Sequence, residues 1–376
     1  MKKTIGIIAY LLFVYNVFGQ TNSYILQYDK PAEVWTEALP IGNGYMGGMF
    51  FGDPYKERIQ LNESTLYSGD PHRKYENFNI RADYNEIMAL FDQGKYAEGQ
   101  EMVQKKWLGR PQDLYQPMSD LWIDMLHTGK VSNYKRVLDI SNAVHKVSYA
   151  IGKTKYEREV FASYPDHIFV IKLSSKGPDK MSGAISFSTI HEPTMEVGGS
   201  NNELCLNAQV PGFALRRTLE HVENYQDEHK YPEIYNKDRT RKPIAKQILY
   251  HDEVDGLGMY FQSRLMVDHE GGEVVYIDGK LTFTNVDEMV IKLTSATSFT
   301  AFDESPISIE LPGQRVKSYL KGVLNSNYEK IKERHIADYT SLFDRVDIEI
   351  NKVGKRLSLS TDERIMRYKE EVMKIS

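Results

Sequence analysis

Cysteine is almost absent from the chain, since Cys205 is the only one among 376 residues. A single cysteine cannot form an internal disulfide, so the stability of the fold has to come from burial of an apolar core. Cys205 lies in the alternating run 203–207, which predicts a strand whose thiol faces a sheet interface. No histidine or basic residue adjoins it in sequence, and a catalytic thiol is therefore not expected.

Excess basic charge and long apolar runs are also lacking. The formal net charge is −5, so nothing indicates a nucleic-acid partner. The apolar run 5–14 follows two lysines and is too short to span a bilayer, and Val17 and Gly19 have the small side chains of a cleavage site. These features predict a signal peptide over residues 1–19 and a secreted or periplasmic protein that has no membrane partner after cleavage.

Motifs for metals, phosphates and activated nucleophiles are missing as well. The ten histidines form no H-E-x-x-H pattern, and neither G-x-S-x-G nor G-K-[ST] occurs. We therefore expect neither a metal site nor a cofactor.

A glycine-rich pattern lies at residues 42–47. Gly42-x-Gly44-x-x-Gly47 formally matches the dinucleotide-binding fingerprint, but that fingerprint needs a strand before it and a helix after it. Pro40 precedes the glycines here, and a strand-like run follows them. The pattern favours a β-hairpin in which Asn43 and Gly44 supply the positive φ angles of a tight turn.

The remaining chain has two kinds of periodicity. Apolar spacing predicts an inserted helical hairpin over Arg81–Phe91 and Tyr96–Trp107. Period-two alternation separated by turn residues predicts many strands and a mainly β fold, a large antiparallel β-sandwich (super-sandwich) with the inserted hairpin. The predicted strands are Leu121–Asp124, Val144–Ile151, Lys155–Phe161, His167–Leu173, Ala184–Phe187, Gly258–Val267, Val274–Ile277, Lys280–Phe283 and Met289–Leu293.

From Gln314 the spacing becomes helical again, which predicts a helical linker in which His335 is a packed residue rather than a base. The predicted division is a signal peptide at 1–19, a β-sandwich domain at 20–313, and a linker at 314–376 that includes the start of a truncated helical barrel. The segment 216–252 has no clear period over its first half, and two interpretations stay open: a functional loop or a disordered one.

Successive sequence blocks carry a family resemblance. They resemble the N-terminal domain of glycoside hydrolase family 95, whose members are α-L-fucosidases and some α-L-galactosidases. The blocks are Trp35, Ala38–Gly44, Gly47, Phe50, Gly52, Glu57–Ile59, Leu61–Glu63, Thr65–Leu66, Ser68–Gly69, Tyr115–Pro117, Asp120–Leu121, Tyr134, Arg136, Leu138–Asp139, Tyr156, Arg158–Glu159, Phe161–Pro165, His335, Asp338–Tyr339, Leu342–Phe343, Arg345–Val346 and Thr361–Arg364.

The resemblance implies hydrolysis of α-L-fucosyl or α-L-galactosyl glycans by inversion. It also implies that the acid and base belong to a helical barrel that follows this domain, so no catalytic residue can be assigned in this chain. The implied partners are the glycan and a barrel domain, either its own or separately encoded. We expect the chain to be inactive alone; the alternative is a non-catalytic carbohydrate-binding or scaffold sandwich.

Six residues are candidates for substrate binding. In the family resembled, the loop 61–69 lies near the barrel mouth, and side chains there can bond sugar hydroxyls. The competing interpretation is that Asn62 and Glu63 fasten a sandwich corner. The segment 216–252 adds residues that resemble an excursion in some family members. The candidates are Asn62, Glu63, Thr65, Tyr67, His221 and Tyr225.

Overall fold

The computed structural model describes residues 24–70, 80–108, 112–348 and 359–373. The predicted signal peptide at 1–19 lies outside these residues. Within them, no helix combines the length and apolarity that crossing a bilayer requires.

Strands make up most of the regular structure in the described ranges, and they are numbered here in chain order. They are β1 (Ile25–Tyr28), β2 (Leu39–Gly42), β3 (Met46–Phe50), β4 (Lys56–Glu63), β5 (Ser119–Met125), β6 (Val131–Asp139), β7 (Val144–Ile151), β8 (Thr154–Ser163), β9 (Ile168–Lys176), β10 (Met181–Ser188), β11 (Glu196–Ser200), β12 (Glu203–Gln209), β13 (Phe213–Ala214), β14 (Ile248–Leu249), β15 (Tyr260–Glu270), β16 (Glu273–Ile277), β17 (Lys280–Val286) and β18 (Glu288–Thr297).

The described α-helices are an inserted pair, one short helix and three C-terminal helices. They are α1 (Ile80–Asp92), α2 (Tyr96–Lys106), α3 (Leu219–Asn224), α4 (Leu311–Val323), α5 (Tyr328–Phe343) and α6 (Thr361–Met373). Short 3-10 turns occur at Trp35–Glu37, Glu192–Thr194, Glu228–Lys230 and His251–Val254.

The strands form two large antiparallel sheets packed face to face. One has nine strands in the order β1-β6-β7-β8-β9-β18-β15-β12-β11, and the other has seven in the order β16-β17-β10-β5-β4-β3-β2. In the seven-stranded sheet, β4 and β5 alternate between buried and less buried positions, because successive side chains point to opposite faces. The predicted mainly β sandwich with an inserted helical hairpin is confirmed.

The main core lies between the sheets, where Ile59 and Leu61 of β4 are joined by Ile291 and Leu293 of β18. β18 is buried on both faces, because α4 and α5 cover the outer face of the nine-stranded sheet. Leu320, Val323, Tyr328 and Ile331 of these helices pack there against Phe161, Ile168, Val170 and Val290. The helical linker is therefore part of the same packed body as the sandwich.

The predicted helical hairpin is confirmed in α1 and α2. Gly94 sits between them at φ +73°, a left-handed conformation that glycine adopts without a steric cost. On α2, a Cβ at Gly99 would lie 2.4 Å from Cε1 of Phe91. Close approach of the two helices therefore depends on glycine at that position.

The segment 216–252 is ordered and belongs to a small subdomain with its own apolar core. Its first half contains α3, a helix too short to give a readable period, and the Thr218 hydroxyl caps that helix by accepting from the backbone N–H of His221 at 3.1 Å. The structure contradicts the disordered interpretation, and a functional role of the loop stays a prediction. The core comprises Phe213, Leu215, Val222, Tyr231, Ile234, Tyr235, Leu249 and Val254.

Two local predictions need correction. The hairpin between β2 and β3 exists, but only Gly44 has a positive φ, at +85°, and Asn43 instead accepts hydrogen bonds from the N–H groups of Tyr45 and Met46. Cys205 is buried in β12, but its neighbours Leu204 and Leu206 face the inter-sheet core. Alternation therefore points the thiol to the outer face, where Nη2 of Arg264 lies 3.5 Å from Sγ.

Candidate functional site

The candidate loop begins where β4 ends. β4 pairs with β3 on one side and β5 on the other, so it is held in the middle of the seven-stranded sheet. Glu63 is its last residue, and its side chain points to the core face with Ile59 and Leu61. The turn at Ser64 and Thr65 then carries the chain out of the sheet.

Glu63 is nearly buried and holds this turn. Its Oε2 accepts from the backbone N–H and the hydroxyl of Thr65, both at 2.7 Å. Burial raises the pKa of Glu63 above its usual value, and the two hydrogen bonds from Thr65 oppose that rise. The carboxylate therefore holds the turn in place through hydrogen bonds. This agrees with the interpretation that Glu63 fastens a corner of the sandwich.

Thr65 connects the turn to the nine-stranded sheet and the linker. Its Oγ1 lies 2.5 Å from Oγ1 of Thr297 at the end of β18. Nη1 of Arg315, on α4, donates to the carbonyls of Thr297 and Phe299 at 2.8 and 2.6 Å. The turn, the end of β18 and the first helix of the linker are thus joined by one set of hydrogen bonds.

Two aromatic rings flank the same turn. Tyr67 and Tyr115 form an isolated antiparallel bridge, and their rings meet edge to face with centroids 5.3 Å apart. The Tyr115 hydroxyl donates to the carbonyl of Glu63 at 2.9 Å. Burial, together with the neighbouring Glu63 and Tyr67, raises the pKa of Tyr115 to about 12, so its hydroxyl is a neutral donor across the physiological range.

Asn62 lies apart from these groups. Alternation along β4 places it on the outer face of the sheet with Arg58 and Gln60, opposite to Glu63. On that face Nε of Arg58 donates to Asp120 at 3.0 Å. The structure therefore brings together Glu63, Thr65 and Tyr67 but separates Asn62 from them.

His221 and Tyr225 belong to the small subdomain. They lie one helical turn apart at α3, and their rings stack with centroids 4.4 Å apart. The Arg217 guanidinium lies 5.8 Å from the Tyr225 ring centroid. In the described part of the chain, no hydrogen bond or ring contact joins this pair to the turn at Thr65, so the six candidates form two sites and an isolated residue.

Sequence reasoning missed several residues around the turn. Tyr115 was noted only as part of a sequence block, and Thr297 and Arg315 carried no signal because they meet the turn through long-range strand pairing. The predicted packing of His335 is confirmed: it is buried, and its ring stacks on Phe161 with centroids 4.9 Å apart. Its Nε2 donates to the carbonyl of Asn142 at 3.0 Å.

No cluster of three or more histidine, cysteine or acidic side chains suited to a metal ion occurs among the described residues. A cavity of about 180 Å³ lies between α5 and the outer face of β8 and β9. Its central carboxylate, Glu159, accepts hydrogen bonds from Tyr328 and Lys332 and is also paired with Lys146. Burial raises the pKa of Glu159, but the hydrogen bonds from Lys332 and Tyr328 and the charges of Lys332 and Lys146 lower it below its usual value, which is the opposite of what a general acid needs.

The fold and the loop define a class of protein: a large two-sheet β-sandwich domain with a hydrogen-bonded corner turn, and the comparison with family models identifies it as the N-terminal domain of a glycoside hydrolase. The domain model described as "Glycosyl hydrolase family 65, N-terminal domain" matches residues 26–301. Because this match covers most of the chain, the chain belongs to the glycosyl hydrolase family 65 N-terminal domain family.

Its relatives bear fucosidase names. Alpha-L-fucosidase 2 of Arabidopsis thaliana is 28% identical over 357 residues, covering 92% of this chain and 39% of the relative. A probable alpha-fucosidase A of Aspergillus oryzae is 31% identical over 150 residues, covering 37% of this chain and 20% of the relative. The chain thus spans about two fifths or less of the length of these relatives.

A solved structure titled "Putative kojibiose phosphorylase from human microbiome" covers 90% of this chain and 40% of its own, with a TM-score of 0.44 and 10% identity. That TM-score is too low to establish a common fold. The family predicted from the sequence is confirmed: the chain is an N-terminal domain of the glycoside hydrolase family 95/65 type. The matching domain model is described under family 65.

Proposed function

We propose that this chain is the N-terminal domain of an exported α-L-fucosidase-type glycoside hydrolase, acting on α-L-fucosyl or α-L-galactosyl glycans by inversion. The observation that carries the proposal is the match to alpha-L-fucosidase 2 along 92% of this chain. The sandwich would form one wall of the substrate site through the turn at Thr65. The acid and base would come from a helical-barrel domain, either its own or separately encoded.

Three buried carboxylates of the sandwich support this division of labour. Inverting hydrolysis needs two carboxyl groups or equivalents on opposite sides of the scissile bond, one of them a proton donor. Glu57, Glu63 and Glu159 are buried in the fold, but each is held by donors of the chain itself: Arg158, Thr65 and Lys332 respectively. These acids therefore serve the architecture.

The test is hydrolysis of an aryl α-L-fucoside. The purified chain should release the phenol no faster than buffer, and adding the helical-barrel polypeptide should raise the rate. Turnover by the chain alone would contradict the division of labour. Failure of the reconstituted protein to act on α-L-fucosides or α-L-galactosides, with activity on another glycoside, would contradict the substrate class.

A non-catalytic carbohydrate-binding role is the second candidate. It is favoured by the partly exposed tyrosines beside the turn, Tyr67 and Tyr115. Titration of the chain against fucosylated and galactosylated glycans separates the two candidates when combined with the hydrolysis assay, because this role predicts binding with no gain in turnover on adding the barrel.

A further inference from the structure

Two pairs of exposed tyrosines stand on either side of the turn at Ser64 and Thr65. On one side, the carbonyl of Tyr45 accepts from the N–H of Ser64 at 2.9 Å. On the other side, the hydroxyl of Tyr115 donates to the carbonyl of Glu63 at 2.9 Å. The turn is therefore tied by direct hydrogen bonds to one tyrosine of each pair.

Each pair is a defined ring contact. Tyr45 stacks on Tyr164 with centroids 5.4 Å apart and ring planes at 18°, whereas Tyr67 and Tyr115 meet edge to face. All four side chains stay accessible, with 39% of Tyr45, 49% of Tyr164, 40% of Tyr67 and 43% of Tyr115 exposed. We call this group of four the tyrosine rim. Large aromatic side chains grouped at a surface indicate a binding site more often than isolated ones do.

The rim is fixed in place by the fold. The amide of Asn43 donates to the carbonyl of Ser163 at 3.0 Å, which links the turn that carries Tyr45 to the strand that precedes Tyr164. His167 packs against Tyr45 with centroids 4.2 Å apart and stacks on Tyr319 of α4 at 4.7 Å. A surface whose rings are already ordered loses little side-chain entropy when a ligand binds.

The turn between the two pairs offers uncharged polar groups. Ser64 is exposed and Thr65 half-exposed, and both offer hydroxyls, while the carboxylate of Glu63 is turned away into the fold. Tyrosine rings combine an apolar body with a polar tip, and hydroxyls both donate and accept. Apolar rings alternating with hydroxyls suit a neutral sugar, which has apolar faces and a hydroxyl edge.

We propose that the tyrosine rim is a binding surface for a neutral oligosaccharide, extending the substrate wall beyond the loop 61–69 to Tyr45 and Tyr164. For the class of ligand this inference rests on the proposed function. For its location it rests only on the geometry of the rim. Tyr45 and Tyr164 are the residues through which the rim would hold sugar units next to the turn at Thr65.

The experiment is isothermal titration of the full chain with a fucosylated and a fucose-free oligosaccharide, 2′-fucosyllactose and lactose. The Tyr45→Ala/Tyr164→Ala double variant and, separately, Tyr67→Ala should each weaken binding at least tenfold. Tyr96→Ala serves as the matched control, since Tyr96 is an exposed tyrosine of the helical hairpin and its loss should leave the affinity unchanged. The Tyr45→Phe/Tyr164→Phe variant keeps both rings and their stacking, so it should retain most of the affinity.

The outcomes separate cleanly. Absence of binding to either oligosaccharide at millimolar concentration, or unchanged affinity in folded rim variants, would overturn the proposal. Loss of barrel association without any glycan binding would make the rim a protein-docking surface and would also overturn it. Glycan binding that depends on the rim, in a protein whose reconstituted form fails to cleave fucosides, would uphold the rim and reject only the proposed enzyme.

Discussion

His145 shows how a single residue can tie the fold to pH. It lies on β7 with its ring fully buried, and neither ring nitrogen has a hydrogen-bond partner among the described residues. Arg136 and Arg158 are the strand partners of Val147 on its two sides. Val147 lies two residues after His145 on β7, so all four side chains are on the same face of the sheet. Burial and these two cations lower the pKa of His145 to about 3, so the ring is neutral in the folded protein.

We predict that His145 contributes to acid destabilisation. Its unfolded pKa is about 6.5, so between pH 6.5 and 3 the unfolded chain binds a proton that the folded chain does not. The free energy of unfolding therefore falls as the pH drops through that window. His145→Leu should remove this contribution, so that its free energy of unfolding, from urea titrations at pH 7, 5.5 and 4.5, declines less steeply than that of the wild type.

The control is His269→Leu, which removes an exposed imidazole at the end of β15 and should keep the wild-type pH dependence. The buried carboxyl of Glu57 also titrates, but Glu57 is present in every protein compared. Its contribution to the pH dependence of the unfolding free energy therefore cancels from the comparison. Parallel curves for His145→Leu and the wild type would contradict the assignment.

Thr65 gives a second prediction at this scale. Thr65→Ala deletes the hydroxyl that bonds Glu63 and Thr297, leaving a nearly buried carboxylate with one donor fewer. We expect a loss of about 1–3 kcal/mol in unfolding free energy, the usual cost of an unsatisfied buried polar group. Thr65→Ser keeps the hydroxyl and should recover most of the loss; equal effects of both substitutions in urea unfolding would argue against the hydrogen bonds.

At the scale of elements, Lys292 joins the linker to the sandwich. It is a buried lysine of β18 whose ammonium donates to the carbonyls of Val323 and Ser326, both at 3.1 Å, and pairs with Asp268 at 2.8 Å. Those carbonyls lie at the end of α4 and in the turn before α5. The Lys292 side chain therefore caps the C-terminus of α4, where a positive charge is favourable.

We predict that Lys292→Met loosens α4 and α5 without unfolding the sandwich. The two carbonyls lose their donor, so amide hydrogen exchange measured by mass spectrometry should speed up in peptides spanning 316–331 while peptides of β4 and β5 keep their protection. Lys280→Met, at an exposed position of β17, is the control. A uniform rise in exchange across the chain would show instead that the lysine supports the whole fold.

The sequence predicted elements better than it predicted their neighbours. β7 alternates along most of its length and was predicted with the bounds that the structure has, and β16 was predicted to within one residue. β6 was not predicted as a strand, because its exposed half carries polar residues and Asn133 has a positive φ of +52°. The pairing of β18 with β9 joins segments far apart in sequence, and no local period encodes it.

The candidate site followed the same rule. Glu63 and Thr65 were predicted from the family resemblance and the residue types of one loop, and the hydrogen bonds between them lie within that single turn. Thr297, Arg315 and the tyrosine rim depend on which strands and helices meet at that turn, and this is decided by the packing of two whole sheets.

At the scale of the whole molecule, the small subdomain has a core of its own. Its core shares none of its residues with the main inter-sheet core. The backbone N–H of Leu215 donates to the carbonyl of Gln247 at 2.8 Å, so the two ends of the intervening segment lie side by side. A short connection can bridge them.

We predict that replacing residues 216–246 with a short Gly-Ser turn leaves a cooperatively unfolding sandwich. Glycan binding through the tyrosine rim should also survive, because the rim lies outside that segment. Urea unfolding and titration with 2′-fucosyllactose and lactose check both points. Loss of binding in a folded protein would assign His221 and Tyr225 to the ligand, and loss of cooperative unfolding would make the subdomain part of the main folding unit.

The first described strand and the last described helix also lie against each other. The backbone N–H of Gln27, in β1, donates to the hydroxyl of Thr361 at the start of α6, at 3.0 Å, and Tyr24 bonds Asp347. β1 is the outermost strand of the nine-stranded sheet and is hydrogen-bonded to β6. The start of α6 is thus attached to a sheet edge, so the position of this helix on the sandwich depends on the pairing of β1 with β6.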